Sequence, residues 1–263
     1  MNEARIAFDA CPLCGSRAFR PLRSADCSRH ALYDPRLPPR IDWMRCEACE
    51  HVFASGFFTE AASEIVFSRA HAFQLAGRDY EAKRPIAARI VERAGRFVAQ
   101  DGAWLDVGFG DGALLLTAAE FGFAPVGVDI RPAAVAALQS QGVEAHAVDF
   151  LAFDDARKFS VISLMDVLEH LPFPAPALRL AASLLAPGGA LIVSCPAHDS
   201  PVWRALEAAG ANPYWGELEH YHNFSRARLY ELLRDAGFAP RLYAVSERYR
   251  ACMEIVATSD GSR

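Results

Sequence analysis

The stretch WLDVGFGDGA, Trp104 to Ala113, sets three glycines at alternate positions between a short apolar run and a leucine-rich stretch. Gly108, Gly110 and Ala113 satisfy the pattern GxGxxG/A, so a nicotinamide dinucleotide is one candidate ligand. The surroundings point elsewhere. Asp106 stands two residues before the first glycine, where a carboxylate would repel a pyrophosphate and attract an ammonium group. Asp129 ends the next apolar run 23 residues later and can accept both hydroxyls of a ribose.

Outward from this turn, strand and helix signals alternate. AWLDVGF, APVGVDI, VEAHAVDF, FSVISLMDV and ALIVSC read as strands. ALLLTAAEFG, PAAVAALQSQG and PAPALRLAASLLAPGG read as the helices between them. Apolar strands interleaved with helices make a parallel sheet covered on both faces. Upstream, RPIAARIVERAGRFVA repeats apolar residues at helical spacing (Ile86, Ile90, Val91, Phe97, Val98), with Pro85 suited to a first turn. Downstream, RLYAVSER and ACMEIVATS lie two residues apart, so the last strand runs antiparallel.

The chain has 263 residues, 52% of them hydrophobic, enough for one full α/β core with a small addition. NEARIAFDACPLCG lacks the apolar stretch of a signal peptide, and no window approaches a bilayer span, so a cytoplasmic protein with no membrane partner is expected. Four of the seven cysteines form CxxC pairs, Cys11 with Cys14 and Cys46 with Cys49. In a reducing compartment these read as one closed structural Zn²⁺ site, with two redox motifs as the competing reading. The expected organisation is a zinc-ribbon-like head at 1–56, linker or lid helices at 57–83 and a sheet domain at 84–263. Phe57, Phe58, Phe73 and Tyr80 are candidates for a lid, or for ordinary packing.

Five motifs in order resemble class I S-adenosylmethionine-dependent methyltransferases: LDVGFGDG, GVDIRP, AVDF, FSVISLMDVLEHLPFP and LLAPGGALIVSCP. EHYHNFSRARLYELLRDAGF resembles the lead into their penultimate helix. CPLCGSRAFRPL with MRCEACEHVF is similar to the cysteine-rich heads of some bacterial members, although Glu50 stands where those heads usually carry glycine. The resemblance implies an α/β, Rossmann-like, doubly wound, seven-stranded sheet with an antiparallel last strand and a zinc-binding head. It also implies S-adenosylmethionine as cofactor. Asp106, Gly108, Gly110 and Gly112 would surround its methionine part, Asp129 its ribose, Ile130, Asp149 and Phe150 its adenine. Asp166 would join them from the fourth strand.

Candidates for handling the acceptor's proton are Asp166, Glu169 and His170 in MDVLEHL, and Glu219, His220 and His222 in ELEHYHNF. The expected acceptor is a small molecule (a sugar, a lipid-linked intermediate or a secondary metabolite). Residues 1–56 carry eight arginines and seven acidic residues, which leaves a net charge of −6 on the remainder. A nucleic-acid partner is therefore disfavoured, but an RNA base methyltransferase and a non-catalytic cofactor-binding regulator remain as alternatives. The connection from Pro196 to Ser225 carries Trp203, Tyr214, Trp215, Tyr221 and Phe224, which suit sugar faces or a satellite core.

Overall fold

The computed structural model describes residues 4–67 and 76–259. Five short strands open the chain: β1 (Arg5–Ala7), β2 (Phe19–Asp26), β3 (Arg40–Cys46), β4 (Val52–Ala54) and β5 (Gly56–Phe58), followed by α1 (Glu60–Phe67). An alternating stretch comes next: α2 (Tyr80–Ala94), β6 (Ala103–Val107), α3 (Ala113–Glu120), β7 (Ala124–Asp129), α4 (Pro132–Gln139) and β8 (Glu144–Ala147). It continues as β9 (Phe159–Met165), α5 (Pro174–Leu184) and β10 (Leu185–Pro196). The chain closes with α6 (Pro201–Ala208), β11 (His222–Asn223), α7 (Arg226–Asp235), β12 (Phe238–Val245) and β13 (Cys252–Ser259).

Two compact units result. One takes the described residues of 1–72, 169–174 and 196–229, the other those of 73–168, 175–195 and 230–263. The expected boundaries at 56 and 83 follow the chain linearly, whereas these units interleave it.

The sheet unit carries seven strands in the order β12-β13-β10-β9-β6-β7-β8. The run from β10 to β8 pairs in parallel, and β13 pairs antiparallel with β12. This is the doubly wound sheet with an antiparallel end that the apolar runs imply. From Val161 to Met165 the residues of β9 are all buried, which explains an apolar run interrupted only by Ser163 in place of alternation. Trp104, Leu115, Leu138, Val161 and Ile192 belong to one core, and the Trp104 indole N–H donates to Ser163 Oγ at 2.9 Å.

Two boundaries differ from the sequence reading. Helix α2 starts at Tyr80, so Pro85 lies inside it and not in its first turn. The ring removes the bond to the carbonyl of Glu81, which stands in the exposed first turn. The helix also stops at Ala94, although Phe97 and Val98 still pack on the core. The β12–β13 connection spans residues 246–251 and not two residues; the polar Ser246 to Arg248 lie outside β12, and the Ser246 N–H bonds the Cys252 carbonyl at 3.0 Å.

The other unit holds a four-stranded sheet, β11-β4-β3-β2, antiparallel throughout, and the antiparallel pair β1–β5. Of the five aromatics in 196–225, Trp203, Trp215, Tyr221 and Phe224 are buried, and Tyr214 stacks on Trp203 with ring centroids 5.2 Å apart. Trp43 donates its indole N–H to the Trp215 carbonyl at 2.9 Å. These rings form a satellite core. Phe57 packs against Phe8 and Phe173, Phe58 lies under the Arg5 guanidinium at 4.1 Å, and Tyr80 donates to Glu120 at 2.6 Å. Phe57 and Phe58 thus have ring and cation contacts within this unit, Tyr80 is hydrogen-bonded in the sheet unit, and Phe73 lies outside the described residues.

The two cysteine knuckles have the same backbone. The N–H of Gly15 bonds the Cys11 carbonyl at 2.9 Å, and the N–H of Glu50 bonds the Cys46 carbonyl at 3.0 Å. Both residues sit in the left-handed region, Gly15 at φ 71° and Glu50 at φ 57°. Glu50 thus closes the turn that glycine closes in the first knuckle, against a steric cost of about 1–2 kcal/mol for a residue with a Cβ. Glu50→Gly should stabilise this unit by up to about 1 kcal/mol, after the extra chain entropy of glycine is subtracted. Denaturant unfolding reads the difference. A loss would mean that the 2.8 Å Arg45–Glu50 ion pair outweighs the strain.

Candidate functional site

The carboxyl ends of β6, β7 and β9 share one edge of the sheet, and each strand delivers an aspartate there. Between β6 and α3 the chain turns through Gly108, Gly110 and Gly112, all left-handed at φ 63°, 62° and 73°. A Cβ on Gly112 would lie 2.6 Å from Leu138 Cδ1, and one on Gly108 would lie 3.0 Å from Val167 Cγ2. Only glycine gives this turn without displacing its neighbours.

Asp106 is buried and accepts from Ser163 Oγ at 2.5 Å. Burial pushes its carboxyl up to about 7; the Ser163 bond and the charge of Arg248 oppose this, and Asp111 and Asp129 reinforce it. Asp166 takes φ 58°, held by its N–H on the Ser194 carbonyl at 2.9 Å and by Ser194 Oγ donating to it at 2.7 Å. Its other oxygen lies 3.2 Å from the Arg248 guanidinium. Asp129 is gripped by Arg131, which donates from Nε at 2.9 Å and from a terminal nitrogen at 2.7 Å. The same guanidinium also reaches the Gly110 carbonyl at 3.2 Å.

Ile130 is 52% exposed, so an apolar face stands available beside Asp129. Asp149 is exposed and caps the short 3₁₀ turn Phe150–Ala152 through the N–H of Leu151 at 2.7 Å, while Phe150 is buried. All nine residues expected around the cofactor therefore lie on strand ends or turns of one unit. Four partners went unread in the sequence: Arg131, Ser163, Ser194 and Arg248. Arg131 had a signal, a basic residue two past a strand-end aspartate. Arg248, in the terminal hairpin connection, had none.

The other unit holds two further groups. The sulfurs of Cys11, Cys14, Cys46 and Cys49 lie within 4.8 Å of one another, with Cys11–Cys49 at 3.7 Å and Cys14–Cys46 at 3.5 Å. Zinc–sulfur bonds of about 2.3 Å in a tetrahedron place sulfurs about 3.8 Å apart, so the residues present fit such an ion.

In the second group, His170, from the segment after β9, donates its Nδ1–H to the Glu219 carbonyl at 3.2 Å. The Tyr221 N–H bonds the Glu169 carbonyl at 2.7 Å and ties the two segments together. The rings of His170 and His220 meet edge to face with centroids 4.7 Å apart. Burial, then the fields of His170, His30 and His222, holds the pKa of His220 well below the usual histidine value.

His222 is engaged differently. Its Nε2–H donates to the Leu171 carbonyl at 2.8 Å, and its Nδ1 pairs with His51 Nε2 at 2.9 Å. Burial lowers its pKa to about 4. With both nitrogens spent inside the protein, His222 is a structural residue, whereas His170 and His220 come together with Glu169.

Residues 78–242 match the family described as "Methyltransferase domain". The ubiquinone biosynthesis O-methyltransferase of Xanthomonas axonopodis pv. citri is 34% identical over 147 residues, covering 51% of this chain and 61% of that protein. Its counterpart in Xanthomonas euvesicatoria pv. vesicatoria is 33% identical over the same length and shares. The chain thus spans about three fifths of the length of these relatives. Among solved structures, a 1,6-didemethyltoxoflavin-N1-methyltransferase of Burkholderia thailandensis, with 1,6-didemethyltoxoflavin and S-adenosylhomocysteine bound, gives a TM-score of 0.60. Its sequence identity is 20%, over 81% of this chain and 97% of that one. The magnesium protoporphyrin IX methyltransferase of Synechocystis PCC 6803, with S-adenosylhomocysteine bound, gives 0.55 at 20% identity, over 67% and 83%. At such identity the likeness speaks to the fold, and the fold agrees with the match over residues 78–242: the chain belongs to the methyltransferase-domain family.

Proposed function

We propose that the protein transfers a methyl group from S-adenosylmethionine to a hydroxyl of a small molecule. The observation that carries this reading is the set of strand-end aspartates around a turn whose three glycines all take positive φ. A dinucleotide would bring a pyrophosphate to an edge already crowded with carboxylates. S-adenosylmethionine brings an ammonium and a sulfonium instead.

In this assignment Asp106 faces the ammonium group, and Gly108, Gly110 and Gly112 let the backbone approach the methionine and ribose. Asp129 takes the ribose hydroxyls as Arg131 yields its place. Ile130 and Phe150 flank the adenine, Asp149 accepts from its amino group, and Asp166 joins from β9. When bound, the cofactor supplies an electrophilic methyl carbon. The acceptor hydroxyl would have to lose its proton as its oxygen takes that methyl group, so this chain must supply alignment of the hydroxyl and a route for the proton. Positive charge on sulfur disappears along the way, so the carboxylates of Asp106 and Asp166 help binding more than they help the barrier. A hydroxyl holds its proton near neutral pH and needs assistance to lose it. We assign that assistance to His170 and His220 with Glu169. The relatives' name, an O-methyltransferase, supports the choice of oxygen.

Calorimetric titration tests the cofactor. S-adenosylmethionine should bind and NAD should not, and Asp129→Ala should weaken binding by about 1–3 kcal/mol through two lost hydrogen bonds. Tight binding of NAD would overturn the reading. The pH profile tests Asp106. Its carboxyl, at about 7 without ligand, must ionise to meet an ammonium group, so binding expels a proton below pH 7. Affinity should therefore rise from pH 6 to about 7.5 and level off, and the slope should vanish in Asp106→Asn. The knuckles should carry one zinc ion per chain by elemental analysis. Cys46→Ser should lose it and unfold the surrounding sheet, while the sheet unit keeps its cooperative transition. Zinc-free protein with residues 4–58 fully protected from exchange would contradict that assignment.

A further inference from the structure

We infer that Glu169, His170 and His220 form a second metal site, for a divalent transition-metal ion and separate from the cysteine knuckles. One oxygen of Glu169 and one nitrogen from each histidine lie within 4.8 Å of one another. Glu169 is 1% exposed, His220 is 8% exposed, and His170 is partly open.

Three features favour an ion over a bare hydrogen-bond cluster. First, His170 gives its Nδ1–H to the Glu219 carbonyl, which leaves Nε2 with its lone pair. That backbone bond is the outer-sphere partner that ligand histidines ordinarily have, and it fixes the tautomer a metal requires. Second, His220 Nδ1 is buried with no hydrogen-bond partner among the described residues. Such a group gives up its hydration with nothing in return unless something coordinates it. Third, two imidazoles and one carboxylate are a donor set for borderline divalent ions such as Zn²⁺, Co²⁺ or Fe²⁺, not for the all-oxygen shell of Mg²⁺. Three protein ligands leave coordination positions open, unlike the closed four-thiolate site. An acceptor oxygen could take one of them and ionise more easily there. That use rests on the methyl-transfer reading above; binding of the ion does not.

The test uses the full chain with its cysteine site filled, titrated with Co²⁺. One further equivalent per chain is expected, with weak d–d bands and without the thiolate charge-transfer absorption that cobalt on the knuckles would show. Glu169→Gln and His220→Ala should each weaken this equivalent by at least about 100-fold, the upper range for loss of an outer-sphere partner alone. The partly open His170→Ala serves as a third variant should burial make the others unstable. Folding of each variant is read by circular dichroism and by retention of the knuckle metal. Absence of a second equivalent in the wild type, or its persistence in all folded variants, would overturn the site and leave the three residues as a proton-handling cluster. Cofactor titration in the same samples separates the two ideas: loss of S-adenosylmethionine binding would count against the methyltransferase reading and leave the metal stoichiometry as measured.

Discussion

A parallel sheet brings its strands to a common edge, and this chain ends three of them in carboxylates. Asp106, Asp129 and Asp166 gather there with Asp111 of the glycine turn, and unscreened charges so close would oppose folding. The protein meets most of this with its own cations: Arg131 on Asp129, Arg248 on Asp166 and Lys83 on Asp111. Asp106 receives a serine hydroxyl instead, and burial raises its pKa, with Asp111 and Asp129 adding to the rise. The cationic ligand proposed above would complete the balance. The glycines give that ligand room, but the electrostatics decide which ligand suits.

Much of this edge was legible in the sequence, because strand ends, glycines and aspartates are local features. AWLDVGFGDG and APVGVDI each announce a strand, a turn and a charge within ten residues. The opposing cations were harder to see. Arg248 reaches Asp166 from the far end of the chain, a pairing set by strand order and not by any spacing. The early start of α2 was hidden by Pro85, whose usual place is a first turn. In the knuckles the four thiols were plain, whereas the ability of Glu50 to stand in for glycine depends on a backbone angle that no residue type dictates.

ELEHYHNF shows the same limit at a finer scale. His220 and His222 are two positions apart in one motif and look equivalent on the page. In the fold, His222 lies in β11 and spends both nitrogens on Leu171 and His51, while His220 meets Glu169 and His170. What separates the two histidines is the identity of their neighbours from elsewhere in the chain. The aromatics followed the same rule. Four of the five between 196 and 225 went to build a core, which the composition of that stretch permits but does not require.

The pairing of β11 with β4 has a consequence for how the molecule is made. Phe53 waits for His222, 169 residues downstream, before its sheet gains its fourth strand. At ribosomal rates of about 5–20 residues per second, that interval lasts on the order of ten to thirty seconds. Throughout it β4 has an unpaired edge, and the loop that must close is long enough to make the closing step slow. All four knuckle cysteines, by contrast, emerge within the first 49 residues. A metal ion captured by those thiolates would clamp β2 and β3 early and hold them in register for a strand still to be synthesised. A nascent chain starved of metal would cross the same interval with its first sheet unfastened, exposed to neighbouring nascent chains on the same message.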